Sequence, residues 1–211
     1  MQQKNCSFPF PLFRDFGIKI QENIARTDSH NDIISHFYIK QFETMEDLEK
    51  LNPSDLCADT AREQEIWEEA QRIFEGIAST RWQGIVLHSG MWDNVSQWLG
   101  VEECYYMLLD EPELIHALLN RMTDIMLKWI DQGNAQGLFD TASTICHCSH
   151  TLVKPFSETP DPLPGTSANS WTFGMAQLFT AVSPDVTKEF ELPYASRLFE
   201  KFGNVYYGCC E

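Results

Sequence analysis

Residues 110–140 read DEPELIHALLNRMTDIMLKWIDQGNAQGLFD, a long segment with helical periodicity followed by a short apolar one. Asp110 as N-cap, Pro112 in the first turn and Glu113 predict the start of a helix. Its apolar side chains recur every three or four positions, as on the buried face of a helix: Ile115, Leu118, Leu119, Met122, Ile125, Met126, Trp129 and Ile130. We therefore expect this helix to lie against the core.

The segments on either side of this helix have the pattern of short buried strands. Gly133 predicts the helix end, and residues 137–140 and 84–88 are apolar runs that suit a buried parallel sheet. Further strands are predicted at 33–42, 171–180 and 204–208. Further helices are predicted after Thr44, at 60–78 with Asp59 as N-cap, from Asp93 to Gly100, at 101–109, and from Ser183 with a break at Pro193. This alternation predicts an α/β fold with parallel pairing.

The composition favours a soluble cytoplasmic protein. The 211 residues include 31 acidic and 15 basic side chains, and the net charge of −16 argues against a nucleic-acid or anionic-membrane partner. No stretch approaches the roughly 18 apolar residues of a membrane-spanning helix. The apolar run at 6–13 is interrupted by two prolines, so we do not interpret it as a signal peptide. Seven dispersed cysteines predict reduced thiols.

Several reactive side chains follow the predicted strands. In a barrel of parallel strands the functional groups lie at the C-terminal strand ends, where His88 and Asp140 fall. His88 is a candidate general acid or base, or a hydrogen-bonded structural histidine. Asp140 is a candidate catalytic carboxylate, or a residue that caps a loop or helix.

The long loop predicted at 141–170 contains the sequence CHCSH at 146–150. In an extended backbone Cys146, Cys148 and His150 would point to one side, as metal ligands could. The spacing differs from that of structural zinc sites, so a packed or substrate-facing polar loop is the alternative. Loops of this length are commonly functional or mobile.

The order of several motifs resembles the uroporphyrinogen decarboxylase superfamily over roughly residues 40–211. This superfamily contains porphyrinogen decarboxylases and zinc-dependent methyltransferases linked to corrinoid proteins. The matching motifs are EDLEKL at 46–51, LGVE at 99–102, DEPELIH at 110–116, VSP at 182–184, FELPY at 190–194 and FGNVYYGCC at 202–210.

The resemblance implies a (β/α)8 TIM barrel with a substrate pocket at its C-terminal mouth. Such a barrel usually needs about 250 residues, so we expect this chain to be incomplete and to lack C-terminal strands. The predicted domains are an irregular N-terminal arm at 1–32 and a partial barrel at 33–211. If the chain truly ends at Glu211, exposed sheet edges would favour a homodimer.

Because His88 and Asp140 fall at the ends of predicted strands, we expect both to be catalytic. We also expect substrate contacts from Trp92, His147, His150, Gln177 and Tyr207. The resemblance adds a metal site. In the methyltransferases a His-x-Cys segment and a later Cys bind zinc. Here Tyr207 replaces that His, so Cys209, or Cys210 if the alignment slips by one, is the expected zinc ligand.

Three functions follow as expectations. Methyl transfer to or from an unknown small molecule, with a corrinoid protein as partner, is favoured. The first alternative is cofactor-free decarboxylation of uroporphyrinogen, in which family arginines hold the substrate carboxylates; the seven arginines here form no N-terminal cluster. The second alternative is a truncated, non-catalytic homologue that binds a ligand or partner.

Overall fold

The computed structural model describes residues 5–9, 11–26, 34–141, 145–146, 149–150 and 164–208. Six α-helices lie in this part of the chain: α1 (Thr60–Phe74), α2 (Met91–Leu99), α3 (Val101–Asp110), α4 (Pro112–Gln136), α5 (Pro184–Phe190) and α6 (Leu192–Phe199). Short 3-10 helices cover Met45–Lys50, Ser167–Asn169 and Gln177–Ala181. The strands are β1 (Asn5–Pro9), β2 (Leu12–Phe13), β3 (Glu22–Arg26), β4 (Ile34–Tyr38), β5 (Cys57–Ala58), β6 (Ser79–Gln83), β7 (Leu87–His88), β8 (Ile145–Cys146), β9 (Ser149–His150), β10 (Trp171–Gly174) and β11 (Asn204–Tyr207).

Helix α4 supplies the apolar face predicted for it, and every residue of the predicted stripe is buried. Its predicted ends are wrong by a few residues. Asp110 is the last residue of α3, so Glu111 takes the N-cap position of α4. The helix continues through Gly133, which lies against the ring of Phe139, and stops at Gly137 in the left-handed region (φ 67°).

Parallel pairing is confirmed for the central strands. β10 lies between β7 and β11, and all three strands run parallel. Two isolated parallel bridges join Ile85 to Phe139 and Leu138 to Gly165. The segment predicted as a strand at 137–140 therefore makes single bridges only. Among the described residues the sheets have two or three strands and none closes on itself. The (β/α)8 barrel therefore stays a prediction.

The expectation of an irregular arm at 1–32 is wrong for three segments. β1 pairs in parallel with β6, β2 pairs antiparallel with β5, and β3 forms an antiparallel pair with β4. Strand formation depends on the neighbouring strand more than on intrinsic propensity. The partners of β1 and β2 lie far along the chain, so no local pattern marked these strands.

Other element boundaries follow local signals with small shifts. The side chain of Asp59 accepts a hydrogen bond from the Arg62 amide, as predicted, but α1 stops at Phe74 rather than 78. Helix α2 begins at Met91, two residues before Asp93. Ser183 caps α5, and α6 starts one residue before Pro193, which confirms the predicted break.

One stretch predicted as a loop and one predicted as a strand contain secondary structure that was not expected there. The predicted loop at 141–170 includes the short β8–β9 pair and a 3-10 turn, with 151–163 outside the described residues. The strand predicted at 171–180 ends at Gly174 and gives way to a 3-10 helix. No helix in the described part of the chain is both long enough and apolar enough to cross a membrane.

Truncation of Leu118 to alanine tests the role of α4 in the core. Leu118 is fully buried, whereas Leu109 on α3 is 79% exposed. We expect Leu118→Ala to lower the free energy of unfolding by about 2–5 kcal/mol and Leu109→Ala to change it by less than about 0.5 kcal/mol. Urea unfolding of both variants measures this, and equal losses would contradict the assignment.

Candidate functional site

A cavity of about 260 Å³ lies at the C-terminal end of β7. It brings together the N-terminal segment, the start of α2 and the inner face of α4. Its lining residues are Arg14, Asp15, Phe16, His88, Gly90, Asn94, Met126 and Trp129. Of the residues predicted from sequence to be functional, His88 is part of this lining.

Phe16 fixes the N-terminal wall of the cavity. Its ring centroid lies 5.4 Å from that of Trp98 and 4.7 Å from that of Trp129. The backbone is held at the same place, because the amides of Asn52 and Ser54 donate to the carbonyls of Phe16 and Asp15. These contacts place residues 14 and 15 beside the cavity.

Gly17 makes this approach possible. Its φ is +80°, and a Cβ built there would lie 2.2 Å from the carbonyl oxygen of Asn52. The Gly17 amide donates to the Asp15 carboxylate at 2.9 Å, which closes a local turn. The Asp-Phe-Gly sequence at 15–17 could have predicted this turn, but it does not reveal that Arg14 lines a cavity.

Arg14 brings a positive charge to the cavity, and sequence reasoning missed it. Desolvation by the surrounding protein atoms lowers the pKa of Arg14 from its usual value, although the side chain remains open to solvent. An arginine keeps its charge under ordinary conditions. Among the described residues no carboxylate lies within 4 Å of its guanidinium. The cavity can therefore receive a negatively charged group.

The imidazole of His88 is 37% exposed and is oriented on three sides. The Gly90 amide donates to Nδ1 at 3.2 Å, and Nε2 lies 3.7 Å from the Asp93 carboxylate. The ring lies edge-on to Phe173, with 4.7 Å between centroids. Glycine at position 90 leaves room for this ring, because a Cβ there would lie 2.7 Å from Cε1 of His88.

Asp140 and Trp92 are buried rather than placed in the cavity wall. Asp140 is 3% exposed, and its carbonyl accepts from the Ser170 hydroxyl at 2.7 Å. The indole of Trp92 is 1% exposed, lies against Phe179, and its N–H has no partner among the described residues. Their expected roles in catalysis and substrate binding stay predictions.

Tyr207 lies on the sheet face opposite to His88. In register, His88 pairs with Phe173, which pairs with Tyr206, and the three rings follow one another on one face. Tyr207 is one residue further and therefore points the other way, where its hydroxyl donates to Glu191 at 3.3 Å. Tyr206, rather than Tyr207, shares the face of His88. Period-two alternation alone could have indicated this.

The remaining predicted residues lie apart from the cavity or outside the described structure. Gln177 is exposed at the start of a 3-10 helix. His150 belongs to β9, and only its backbone is described. His147, Cys209 and Cys210 lie outside the described residues. Within the described ranges, no group of three or more His, Cys, Asp or Glu side chains is arranged to hold a metal ion.

Comparison with known proteins gives this chain no relative. No family model, curated protein or solved structure matches it. Membership of the uroporphyrinogen decarboxylase superfamily therefore stays a prediction from the order of its motifs.

A Cβ at position 90 should displace His88 and strain the start of α2. Besides His88, the added atom would lie 3.0 Å from the carbonyl oxygen of Met175. We expect Gly90→Ala to lower the free energy of unfolding by about 1–3 kcal/mol. In a His88→Ala background the same change should cost less, because the ring it strikes is gone. Equal losses in both backgrounds, measured by urea unfolding, would contradict this geometry.

Cys104 should behave as a buried, unreactive thiol. Burial raises the pKa of Cys104 to about 12, with a smaller contribution from Glu103. The thiolate is the nucleophile, so at pH 8 an alkylating reagent should modify the exposed Cys57 and spare Cys104 until the chain unfolds. Mass spectrometry of the peptides measures both rates. Labelling of Cys104 as fast as Cys57 would contradict its burial.

The same shift sets a direction for stability at high pH. Between pH 9.0 and about 12 the unfolded chain loses the Cys104 proton while the folded chain keeps it. The contribution of this thiol to the free energy of unfolding is therefore fully present below pH 9.0 and is lost as the pH rises through this window. In a Cys104→Ala variant, which lacks the titrating group, the free energy of unfolding should fall less over the same pH range.

Proposed function

We propose that the chain is an enzyme of the uroporphyrinogen decarboxylase superfamily that binds a small anionic molecule between Arg14 and His88. Methyl transfer linked to a corrinoid protein is the favoured reaction. The observation that carries the proposal is the cavity itself, where a guanidinium and an imidazole line one space at the C-terminal end of a parallel strand. Reactive groups of parallel α/β enzymes lie at this end.

Arg14 supports an anionic ligand. Its guanidinium presents several N–H donors. Asp15 lines the same cavity, but within the described ranges no carboxylate lies within 4 Å of this guanidinium. A charge-assisted hydrogen bond to a carboxylate is stronger than a neutral one. The rings of Phe16 and Trp129 with Met126 provide an apolar wall for the rest of the ligand.

The cavity size favours a small substrate over a tetrapyrrole. At about 260 Å³ it lies just below the roughly 300–1,000 Å³ of sites that hold drug-sized ligands. Uroporphyrinogen carries eight carboxylates, and one arginine lines this space. Cofactor-free decarboxylation is retained as a second candidate because Arg14 is the type of residue that binds a substrate carboxylate.

The proposal includes zinc only because the chain resembles the zinc-dependent methyltransferases. When bound, zinc would activate a thiol acceptor, and Cys209, or Cys210 if the alignment slips by one, would be a ligand. Tyr207, at the position of the family's His, has its hydroxyl directed to Glu191 instead. No role proposed for Arg14 or His88 depends on a metal.

A pair of thiol acceptors tests this function. The full chain is incubated without oxygen with methylcobalamin and either 3-mercaptopropionate or 2-mercaptoethanol. The sulfur forms a bond to the methyl carbon, the Co–C bond breaks and leaves its electron pair on cobalt as cob(I)alamin, and the thiol proton is released. We expect faster demethylation with the carboxylate-bearing thiol because Arg14 pairs with its carboxylate. Arg14→Gln should remove about ten- to hundredfold of that preference, whereas Arg62→Gln on the exposed face of α1 should leave it unchanged.

Other outcomes separate the alternatives. Conversion of uroporphyrinogen by metal-free protein, with no demethylation of methylcobalamin, would replace methyl transfer by decarboxylation. Binding of 3-mercaptopropionate with neither reaction would favour a non-catalytic binding protein. Equal rates for both thiols in the unaltered chain would contradict the anion site at Arg14.

A further inference from the structure

We infer that His88 acts as a hydrogen-bond donor through Nε2–H toward an oxygen atom of the bound molecule, and not as a general base. This inference rests on the proposed function in that it assigns a role in the same cavity. It narrows the ligand to a molecule that presents a carboxylate or carbonyl oxygen between Nε2 of His88 and the guanidinium of Arg14.

The hydrogen bond from Gly90 determines which nitrogen carries the proton. An amide N–H can only donate, so Nδ1 accepts this bond with its lone pair. In a neutral imidazole the other nitrogen then carries the hydrogen, which makes His88 the Nε2–H tautomer. A base at Nε2 would require the other tautomer, in which Nδ1 carries the hydrogen and the Gly90 amide has no acceptor there.

Packing keeps the ring in this orientation. Phe173 lies against the ring, and the Ser89 amide donates to the Phe173 carbonyl, so the chain on both sides of the site is fixed. The Ser89 hydroxyl also bonds to the buried Thr172 hydroxyl at 2.6 Å. A ring flip would exchange Nδ1 with Cδ2 and Nε2 with Cε1, so the Gly90 amide would lose its acceptor.

The charges around Nε2 agree with a donor. Asp93 of α2 lies 3.7 Å from Nε2, and a carboxylate accepts hydrogen bonds, which suits a hydrogen on that nitrogen. From the N-terminal segment, Arg14 and Asp15 line the same cavity. A ligand oxygen placed between Arg14 and His88 would therefore receive hydrogen bonds from both.

For methyl transfer, this arrangement separates binding from proton removal. A donor at Nε2 can hold a carboxylate or polarise a carbonyl, as a neutral histidine does in other enzymes. It cannot remove the proton of a thiol. Any base that the reaction uses must then be a different group.

Two substitutions at position 88 separate a donor from a base. The amide nitrogen of glutamine reaches the position of Nε2 and can donate there. The side chain of asparagine is too short to bring its amide nitrogen to that position. We expect His88→Gln to bind 3-mercaptopropionate within a few-fold of the unaltered chain and His88→Asn to bind about ten- to hundredfold more weakly. Isothermal titration calorimetry measures both, and urea unfolding verifies that each variant is folded. Equal affinities of the two variants would overturn the inference.

The tautomer can be measured without any ligand. The chain is labelled with nitrogen-15 at its six histidines, and long-range proton–nitrogen correlation spectra then distinguish the two neutral tautomers. The signals of His88 are identified as those that disappear from the spectrum of the His88→Gln variant. We expect the Nε2–H pattern for His88. His36 is an internal control with the opposite expectation, since its Nδ1 donates to Glu22 at 2.7 Å.

The two measurements fail in different ways. An Nδ1–H pattern for His88 overturns the inference whatever the chain binds. If His88 shows the Nε2–H pattern but the chain binds no carboxylate, the proposed function and the donor role are both wrong. Only the assignment of the tautomer is then retained.

Discussion

The insertion of Phe16 between Trp98 and Trp129 is the contact on which the site depends. It joins the N-terminal segment to α2 and α4, two helices that are far from it in sequence. The indole N–H of Trp129 also donates to the Ser54 carbonyl, so the same helix holds the loop that carries Asn52. Aromatic pairs of this kind add to the burial of their apolar area. Together with the backbone hydrogen bonds from Asn52 and Ser54, this contact holds Arg14 at the cavity that His88 lines.

Local signals in the sequence account for most of the helices. The apolar stripe of α4, the cap at Asp59 and the break at Pro193 all follow from residues within one or two turns. The errors at Asp110 and Gly133 have packing causes: α3 runs to Asp110, and Gly133 accommodates the ring of Phe139. The pairing of β1 with β6 depends on contacts across some 70 residues, which no local pattern contains.

The residues of the candidate site also differ in whether local sequence or long-range contacts determine their positions. His88 was identified because a polar residue at the end of an apolar strand is a local feature. Arg14 was missed because its place in the cavity depends on contacts of Phe16 with helices that come much later. Tyr207 was assigned to the substrate by alignment with a family motif, yet its register with Gly174 turns it toward α6 and Glu191. In an acidic chain of net charge −16, one guanidinium in a partly enclosed cavity provides a local field that the composition conceals.

The way in which residues 14–17 are attached has a consequence for how the cavity opens. This segment forms one wall, yet it is held by a single buried ring and two backbone hydrogen bonds to Asn52 and Ser54. Release of Phe16 would expose the ligand space while α4 keeps its own hydrogen bonds and its contacts with α3 and α6. Such a local opening requires less free energy than global unfolding. The N-terminal wall of the cavity and the packing of α4 against α3 and α6 therefore depend on different sets of contacts.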